Sequence, residues 1–288
     1  MKGLVIDVVS GEIAIELGKY MEVKVSEKLP PSKAELIEQI ADVDVLIMRV
    51  DPKIDQEVLE AAKNLKVIGV CSVGLNHVDT KYCEEHGIQV FNAPGLNGNA
   101  VAELTISKML DISRGTMVAN HDVKVLKQWD KYKFNGRELR NKTLGVLGFG
   151  RIGQELGKMC KALGMTVLVT GRTVKPELEE KYGVKYVTMD ELLEKSDFVS
   201  LHTPALGDKP LVDAAFIAKM KTGAILINTS RGKNVDEAAL LDALNAGKLR
   251  GAGLDVWFEE PTANHDLYSH PAVSCTPHIG AQTVEAQK

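Results

Sequence analysis

Residues 144–153 read Leu-Gly-Val-Leu-Gly-Phe-Gly-Arg-Ile-Gly, an apolar run closed by glycines at 148, 150 and 153 and followed by a helical pattern. A GxGxxG pattern is weak alone, but between a strand and a helix it specifies one kind of turn. Gly148 permits the tight turn, Gly150 lets the backbone approach a pyrophosphate, and Gly153 lets helix and strand pack closely. Together with Arg151 and Ile152 these residues form a cradle at a helix N-terminus, where N–H groups and the positive dipole end favour phosphates. The pattern predicts the dinucleotide-binding half of an α/β protein.

The rest of the chain alternates in the same way. Gly3–Val9, Met21–Val25, Val43–Met48, Lys66–Val70 and Ile88–Phe91 read as strands, with helices over Ser32–Ala41 and Ile54–Ala62. Ser32 and Glu35 have capping-box spacing. A helical pattern from Asn99 to Trp129 would span about 45 Å. Strands then follow at Thr143–Leu147, Thr166–Thr170, Phe198–His202, Ala224–Asn228, Gly251–Asp255 and Val273–Cys275. Helices fall near Ile152–Leu163, Asp190–Lys195, Ala214–Lys219 and Glu237–Ala246. Strands separated by single helices imply crossovers and parallel sheets. The expected architecture is two-lobed: a doubly wound, Rossmann-type parallel sheet over 93–280 and a smaller flavodoxin-like α/β substrate lobe over 1–92, with 281–288 returning toward it.

Composition excludes other classes. A net charge of −4 without a dense basic run argues against a nucleic-acid partner. No apolar run approaches the ~18–20 residues of a membrane helix. The N-terminus reads as a strand, not a signal peptide. Cys71, Cys83, Cys160 and Cys275 are too widely spaced for a zinc site or disulfide framework, so no metal is expected and the thiols fit a cytoplasmic protein.

The second strand of the dinucleotide block ends at Gly171-Arg172-Thr173, where NAD-binding proteins usually carry a carboxylate for the ribose 2′-hydroxyl. A carboxylate would repel a 2′-phosphate, whereas Arg172 and Lys175 would pair with one and Thr173 adds a hydroxyl. NADP is therefore the favoured cofactor, with NAD possible.

Three further motifs sit at strand ends: Asn228-Thr229-Ser230-Arg231-Gly232, the segment from Asp255 to Pro261, and Pro277-His278-Ile279-Gly280. In a doubly wound sheet the carboxyl ends of strands face the ligand crevice, which brings Arg231, Glu260 and His278 to one edge. Hydride transfer to a carbonyl needs a proton donor, and His titrates near working pH. A carboxylate beside it favours imidazolium, and Arg offers a two-pronged contact to a substrate carboxylate.

These motifs resemble the D-isomer-specific 2-hydroxyacid dehydrogenase family, nearly from end to end. The resemblance implies an NAD(P)-dependent oxidoreductase acting on CH–OH groups, converting a small 2-oxoacid and its 2-hydroxyacid. It implies that Arg231 binds the substrate carboxylate and carbonyl, Glu260 supports His278, and His278 is the general acid/base. It places Thr229 and Ser230 beside the cofactor, Thr203 in a turn bracketing it, and Asp255 on the nicotinamide carboxamide. It assigns Ser72, Val73, Gly74 and Asn97 to the substrate. Two branches compete. Residues 91–104, 136–139 and 285–287 resemble phosphoglycerate dehydrogenase, in which Arg49 and Lys53 would face a phosphate. Residues 72–77 and 170–177 resemble glyoxylate/hydroxypyruvate reductase, the branch favoured here. A non-catalytic, dinucleotide-sensing corepressor is the alternative from another class. Homodimerisation through the dinucleotide lobe and the 99–129 helix is expected. Relatives continue past the His278 motif with a helix returning to the first lobe, and this chain stops at Lys288 as that helix would begin.

Overall fold

The computed structural model describes every residue except Pro94, Leu96, Leu206, Asp208 and Lys288. The chain divides into two compact units, Met1–Leu96 with Thr283–Lys288, and Asn97–Gln282. The divisions fall a few residues from the expected 92/93 and 280/281.

The first unit alternates β1 (Lys2–Val5), α1 (Gly11–Leu17), β2 (Glu22–Val25), α2 (Lys33–Ile40), β3 (Val45–Met48), α3 (Gln56–Ala61), β4 (Val67–Val70), α4 (Thr80–Glu85) and β5 (Gln89–Asn92). The strands are parallel in the order β2-β1-β3-β4-β5, which is the flavodoxin-like order, with its reversal between β1 and β3. Strand β3 is buried throughout its Val-Leu-Ile-Met sequence, as a parallel strand covered on both faces must be. At α2 the Ser32 hydroxyl accepts from the Glu35 N–H and the Glu35 carboxylate accepts from the Ser32 N–H, completing the capping box. Leu36 and Ile40, one turn apart, then reach the core with Leu4, Leu46 and Ile68. Helix α1 was not anticipated, because its Ile15 is 71% exposed and breaks the apolar stripe.

The second unit begins with α5 (Gly98–Arg114) and α6 (Thr116–His121). It continues through β6 (Thr143–Leu147), α7 (Arg151–Ala162), β7 (Thr166–Thr170), α8 (Pro176–Tyr182), β8 (Lys185–Tyr186), α9 (Met189–Lys195), β9 (Phe198–Leu201), α10 (Ala214–Lys219), β10 (Ala224–Asn228), α11 (Glu237–Asn245), β11 (Leu249–Leu254), α12 (His265–Tyr268) and β12 (Val273–Cys275). A last short helix, α13 (Val284–Gln287), falls within the segment grouped with the first unit. The sheet is parallel, ordered β12-β11-β10-β9-β6-β7-β8. This is the doubly wound Rossmann arrangement with one extra strand beyond its sixth. The sequence reading had six strands; the two-residue β8 is too short to leave a pattern. Helices cover both faces, α5 and α7 packing on one core and α9, α10 and α11 on the other.

The continuous 99–129 helix is corrected. Helix α5 ends at Gly115, which adopts a left-handed φ of 65° and where an added Cβ would lie 3.2 Å from the Phe134 ring. After α6 the chain makes a π-helical turn over Asp122–Leu126 and stops at Lys127, also left-handed. The rod is therefore about 26 Å of α5, with a broken arm beyond it. Among the described residues, no helix is long and apolar enough to cross a membrane.

Candidate functional site

The glycine turn lies at the switch point between β6 and β9, neighbours whose connections leave toward opposite sides of the sheet. Gly148 has φ +92°, and a Cβ there would lie 2.6 Å from the His202 carbonyl oxygen and 2.9 Å from Thr203 Cγ2. A Cβ on Gly153 would lie 2.5 Å from the Gly148 carbonyl oxygen. Both positions admit only glycine. Gly150 differs: a Cβ there would meet nothing within 4 Å. It sits at the N-cap of α7 and offers no side chain to cover the first-turn amides of Arg151, Ile152 and Gly153. Beside the turn, Thr203 Oγ1 and His202 Nδ1 are buried and unpaired among the described residues. His202 is held neutral by burial, its pKa pushed down to about 4. A tight turn with open space over its middle glycine and unpaired polar atoms at its wall fits the phosphates of a dinucleotide.

Strand β7 delivers Gly171, Arg172, Thr173 and Lys175, all exposed, and a Cβ on Gly171 would meet nothing within 4 Å. Strand β10 delivers Thr229, Ser230 and Arg231. The Thr229 hydroxyl pairs with that of Thr105 on α5 at 3.0 Å. Asn228 accepts from the Ser230 N–H and hydroxyl and donates to the Arg231 carbonyl, closing the turn. Asn234, which sequence reasoning passed over, donates to both Ser230 Oγ and the Thr203 carbonyl and so ties two of the expected cofactor contacts together. Arg231 is half-buried, with Nη1 donating to the Ser230 carbonyl at 2.6 Å. Gly232 follows because the Trp257 carbonyl oxygen lies only 1.8 Å from where a Cβ would stand.

The three predicted catalytic side chains come together. His278 Nδ1 lies 2.7 Å from Glu260 Oε2, and Glu260 Oε1 accepts from the Trp257 N–H at 3.1 Å. The Arg231 charge is felt at both residues. The Glu260 hydrogen bond raises the His278 pKa above the ordinary imidazole value against the opposing pull of burial. For Glu260, burial pushes the pKa up, but the bonds from His278 and Trp257 outweigh it and hold the carboxyl below its usual range. His278 has φ +54°, unusual for a side-chain-bearing residue. Asp255 keeps it there: its carbonyl accepts from the His278 N–H, Oδ1 from the Ile279 N–H and Thr276 hydroxyl, and Oδ2 from the Gly280 N–H. Glu237 on α11, also missed, accepts from the Phe258 N–H and the Asn264 amide, bracing the loop that carries Glu260. Chemically, the pair is an imidazole whose protonated form is favoured by a carboxylate, with the Arg231 charge felt at both, which suits proton delivery to an anionic substrate.

The remaining expected substrate residues are placed as follows. Asn97 stands at the N-cap of α5 without capping it, and its Oδ1 is buried and unpaired among the described residues. Arg49, Ser72, Val73 and Gly74 belong to the first unit, after β3 and β4. There, Asp7 Oδ2 accepts from the N–H groups of Arg49, Val50 and Asp51. The Ser72 hydroxyl donates to the Gly74 carbonyl, and Asn92 donates to that of Val73. Asp7, two residues past the end of β1, falls inside the Gly3–Val9 run that the sequence reads as a strand, so no local signal marked it. Among the described residues no cluster could hold a metal ion.

Residues 106–280 match the family model for the NAD-binding domain of D-isomer specific 2-hydroxyacid dehydrogenases. The chain is 42% identical to a D-3-phosphoglycerate dehydrogenase of Archaeoglobus fulgidus, over all of this chain but 54% of that protein. It is 40% identical to a glyoxylate reductase of Thermococcus litoralis, over 94% of this chain and 84% of that protein. The chain thus spans about half the length of the phosphoglycerate dehydrogenase and most of the glyoxylate reductase. The solved structure of the TT0316 protein from Thermus thermophilus superposes with a TM-score of 0.90 at 39% identity, covering 100% of this chain and 92% of that one.

Proposed function

The chain belongs to the D-isomer specific 2-hydroxyacid dehydrogenase family, and we propose that it reduces a small 2-oxoacid of the glyoxylate or hydroxypyruvate kind to its 2-hydroxyacid. The observation that carries this reading is the 2.7 Å Glu260–His278 contact in the same unit as Arg231 and the glycine turn. A nicotinamide cofactor, when bound, supplies the hydride. Gly148, Gly150, Arg151, Ile152 and Gly153 would hold its pyrophosphate, Gly171 to Lys175 its adenosine ribose, and Thr203, Thr229, Ser230 and Asp255 the nicotinamide half. Arg231 fixes the substrate carboxylate through its guanidinium fork. His278, as imidazolium, gives its proton to the carbonyl oxygen as that oxygen gains charge, and Glu260 stabilises the charged ring until transfer. In the reverse direction neutral His278 takes the proton back.

NADPH is the favoured donor in this reading, because the residues after β7 carry cations and a hydroxyl where a carboxylate would exclude a 2′-phosphate. Ser72, Val73, Gly74 and Asn97 are assigned to the substrate. A second reading, oxidation of D-3-phosphoglycerate, is favoured by Arg49, whose backbone Asp7 fixes at the carboxyl end of β3 and whose charge would suit a phosphate. A second copy of the chain is the proposed partner. Exposed Met117, Val123, Val125, Leu126 and Trp129 on the arm after α5 supply an apolar surface for it. All four cysteines are unpaired, which supports the cytoplasm as the compartment. The test is oxidation of NADPH and NADH against glyoxylate, hydroxypyruvate and pyruvate, with D-3-phosphoglycerate in the reverse direction. Turnover of a 2-oxoacid supports the first reading and turnover of the phosphorylated substrate alone supports the second; no turnover of any of them sinks both.

A further inference from the structure

Trp257 is buried, and the chemistry above gives its side chain no part. The three segments that carry Arg231, Glu260 and His278 all meet on this residue. Its backbone N–H donates to Glu260 Oε1 at 3.1 Å. Its indole Nε1–H donates at 3.2 Å to the carbonyl of Thr276, two residues before His278. Its carbonyl oxygen lies against Gly232, the residue after Arg231, where an added Cβ would stand 1.8 Å from it. The ring itself is packed into the core between the sheet and its helices. Tyr268 on α12 meets it edge to face, with centroids 6.4 Å apart and planes at 89°, an arrangement that aromatic pairs favour. A ring so packed aims its N–H in one direction, and a buried N–H without an acceptor is costly. The acceptor here is the main chain of the turn that bears His278.

We propose that Trp257 is a positioning residue for the Glu260–His278 pair, its backbone N–H holding the carboxylate and its indole N–H holding the turn that carries the imidazole. The inference rests on the roles proposed above for those two residues. Asp255 fixes the shape of the His278 turn. Trp257 has a different task, because it joins that turn, after β12, to the loop bearing Glu260, after β11. One residue with a packed ring therefore spans both ends of the 2.7 Å contact. Phenylalanine at this position would keep the backbone N–H, the backbone carbonyl and most of the ring, and would lose only the link to Thr276. In the sequence, Trp257 stands out only as an aromatic residue between Asp255 and Pro261.

The test compares wild type with Trp257→Phe by titrating the His278 ring by NMR, which needs no substrate. The charged groups that act on His278 are Glu260, Asp255 and Arg231, and the substitution removes none of them. A change in the His278 pKa therefore reports how the ring sits against Glu260. If Trp257 positions the pair, the contact loosens in the variant and the His278 pKa falls toward the ordinary imidazole value. If the indole only fills the core, the variant loses stability while that pKa stays where it is in wild type, and the proposal is overturned. The kinetic arm rests on the proposed reductase activity. There kcat should fall about tenfold, the scale of a slight displacement of a catalytic group. KM for the 2-oxoacid should change little, because the contact to the Arg231 segment is made by backbone that phenylalanine retains. An inactive wild type would refute that activity and leave the NMR arm standing. Should the variant fail to fold, the wild-type chain still decides. It has two tryptophans, and the other, Trp129, is 86% exposed and serves as the internal control. The Trp257 indole N–H signal should shift as His278 titrates while that of Trp129 stays in place; a Trp257 signal unmoved through the titration overturns the proposal.

Discussion

His278 Nδ1 and Glu260 Oε2 stand 2.7 Å apart, and each holds the other's charged form. The sign of the linkage follows. The raised His278 pKa stabilises the fold below the ordinary imidazole value of 6.5, and that contribution is lost as pH rises through the raised value. The lowered Glu260 pKa stabilises it above the ordinary 4.5 and is lost as pH falls through the lowered value. The pair is strongest between those limits. Reduction, which consumes the His278 proton, should fall off only above the raised pKa. Glu260→Gln should move the alkaline limb of kcat/KM to lower pH, and an unmoved limb would show that Glu260 does not tune the ring.

Replacing His278 with Ala should lower turnover by ~10²–10⁴-fold, the usual contribution of a general acid/base, while dinucleotide affinity stays near wild type. Stopped-flow turnover and fluorescence titration of NADPH separate the two effects. Near-normal turnover would exclude the assigned role.

Arg231→Lys should not behave as a conservative change. Lysine cannot form the planar two-point contact with a carboxylate, so kcat/KM for 2-oxoacids should drop at least about tenfold. An unchanged value would assign substrate anchoring to another cation.

The residues proposed to choose the cofactor are exposed, so the preference should be moderate. NADPH should be favoured over NADH by about ten- to a hundredfold at low salt, and less as salt screens the contact. Gly171→Asp with Arg172→Ala should reverse the order. Equal or better use of NADH by the wild-type enzyme would reduce Arg172 to a solvated loop cation.

Gly232 predicts a stability effect. With the Trp257 carbonyl oxygen 1.8 Å from the added Cβ, Gly232→Ala cannot be accommodated by a side-chain rotation and must move backbone. The expected cost is at the upper end for overpacking, about 3 kcal/mol, read by denaturant unfolding. Gly150→Ala, where a Cβ meets nothing within 4 Å, should leave stability nearly unchanged and weaken dinucleotide binding. Equal melting behaviour of the two variants would contradict the packing argument.

The sequence by itself determined the longer strands and their alternation with helices, the glycine cradle at 148–153, the missing carboxylate after β7, and the strand ends bearing Arg231, Glu260 and His278. Each is written in a local signal: an apolar run, a capping pair, a turn that only glycine can make. The sequence did not reveal that α5 stops at Gly115, because the pattern of apolar residues continues past it and only the left-handed turn and the Phe134 ring end the helix. Nor did it show that Glu260 and His278 touch, that Asp255 holds the His278 turn, or that Lys108 lies buried over Gly253. Those contacts join residues 18 to 145 positions apart. They exist because β11 and β12 pair in one register, Gly253 opposite Ser274, and because β11 has no side chain there to keep α5 away. Register and close approach are properties of the packed sheet, which no short window of sequence contains.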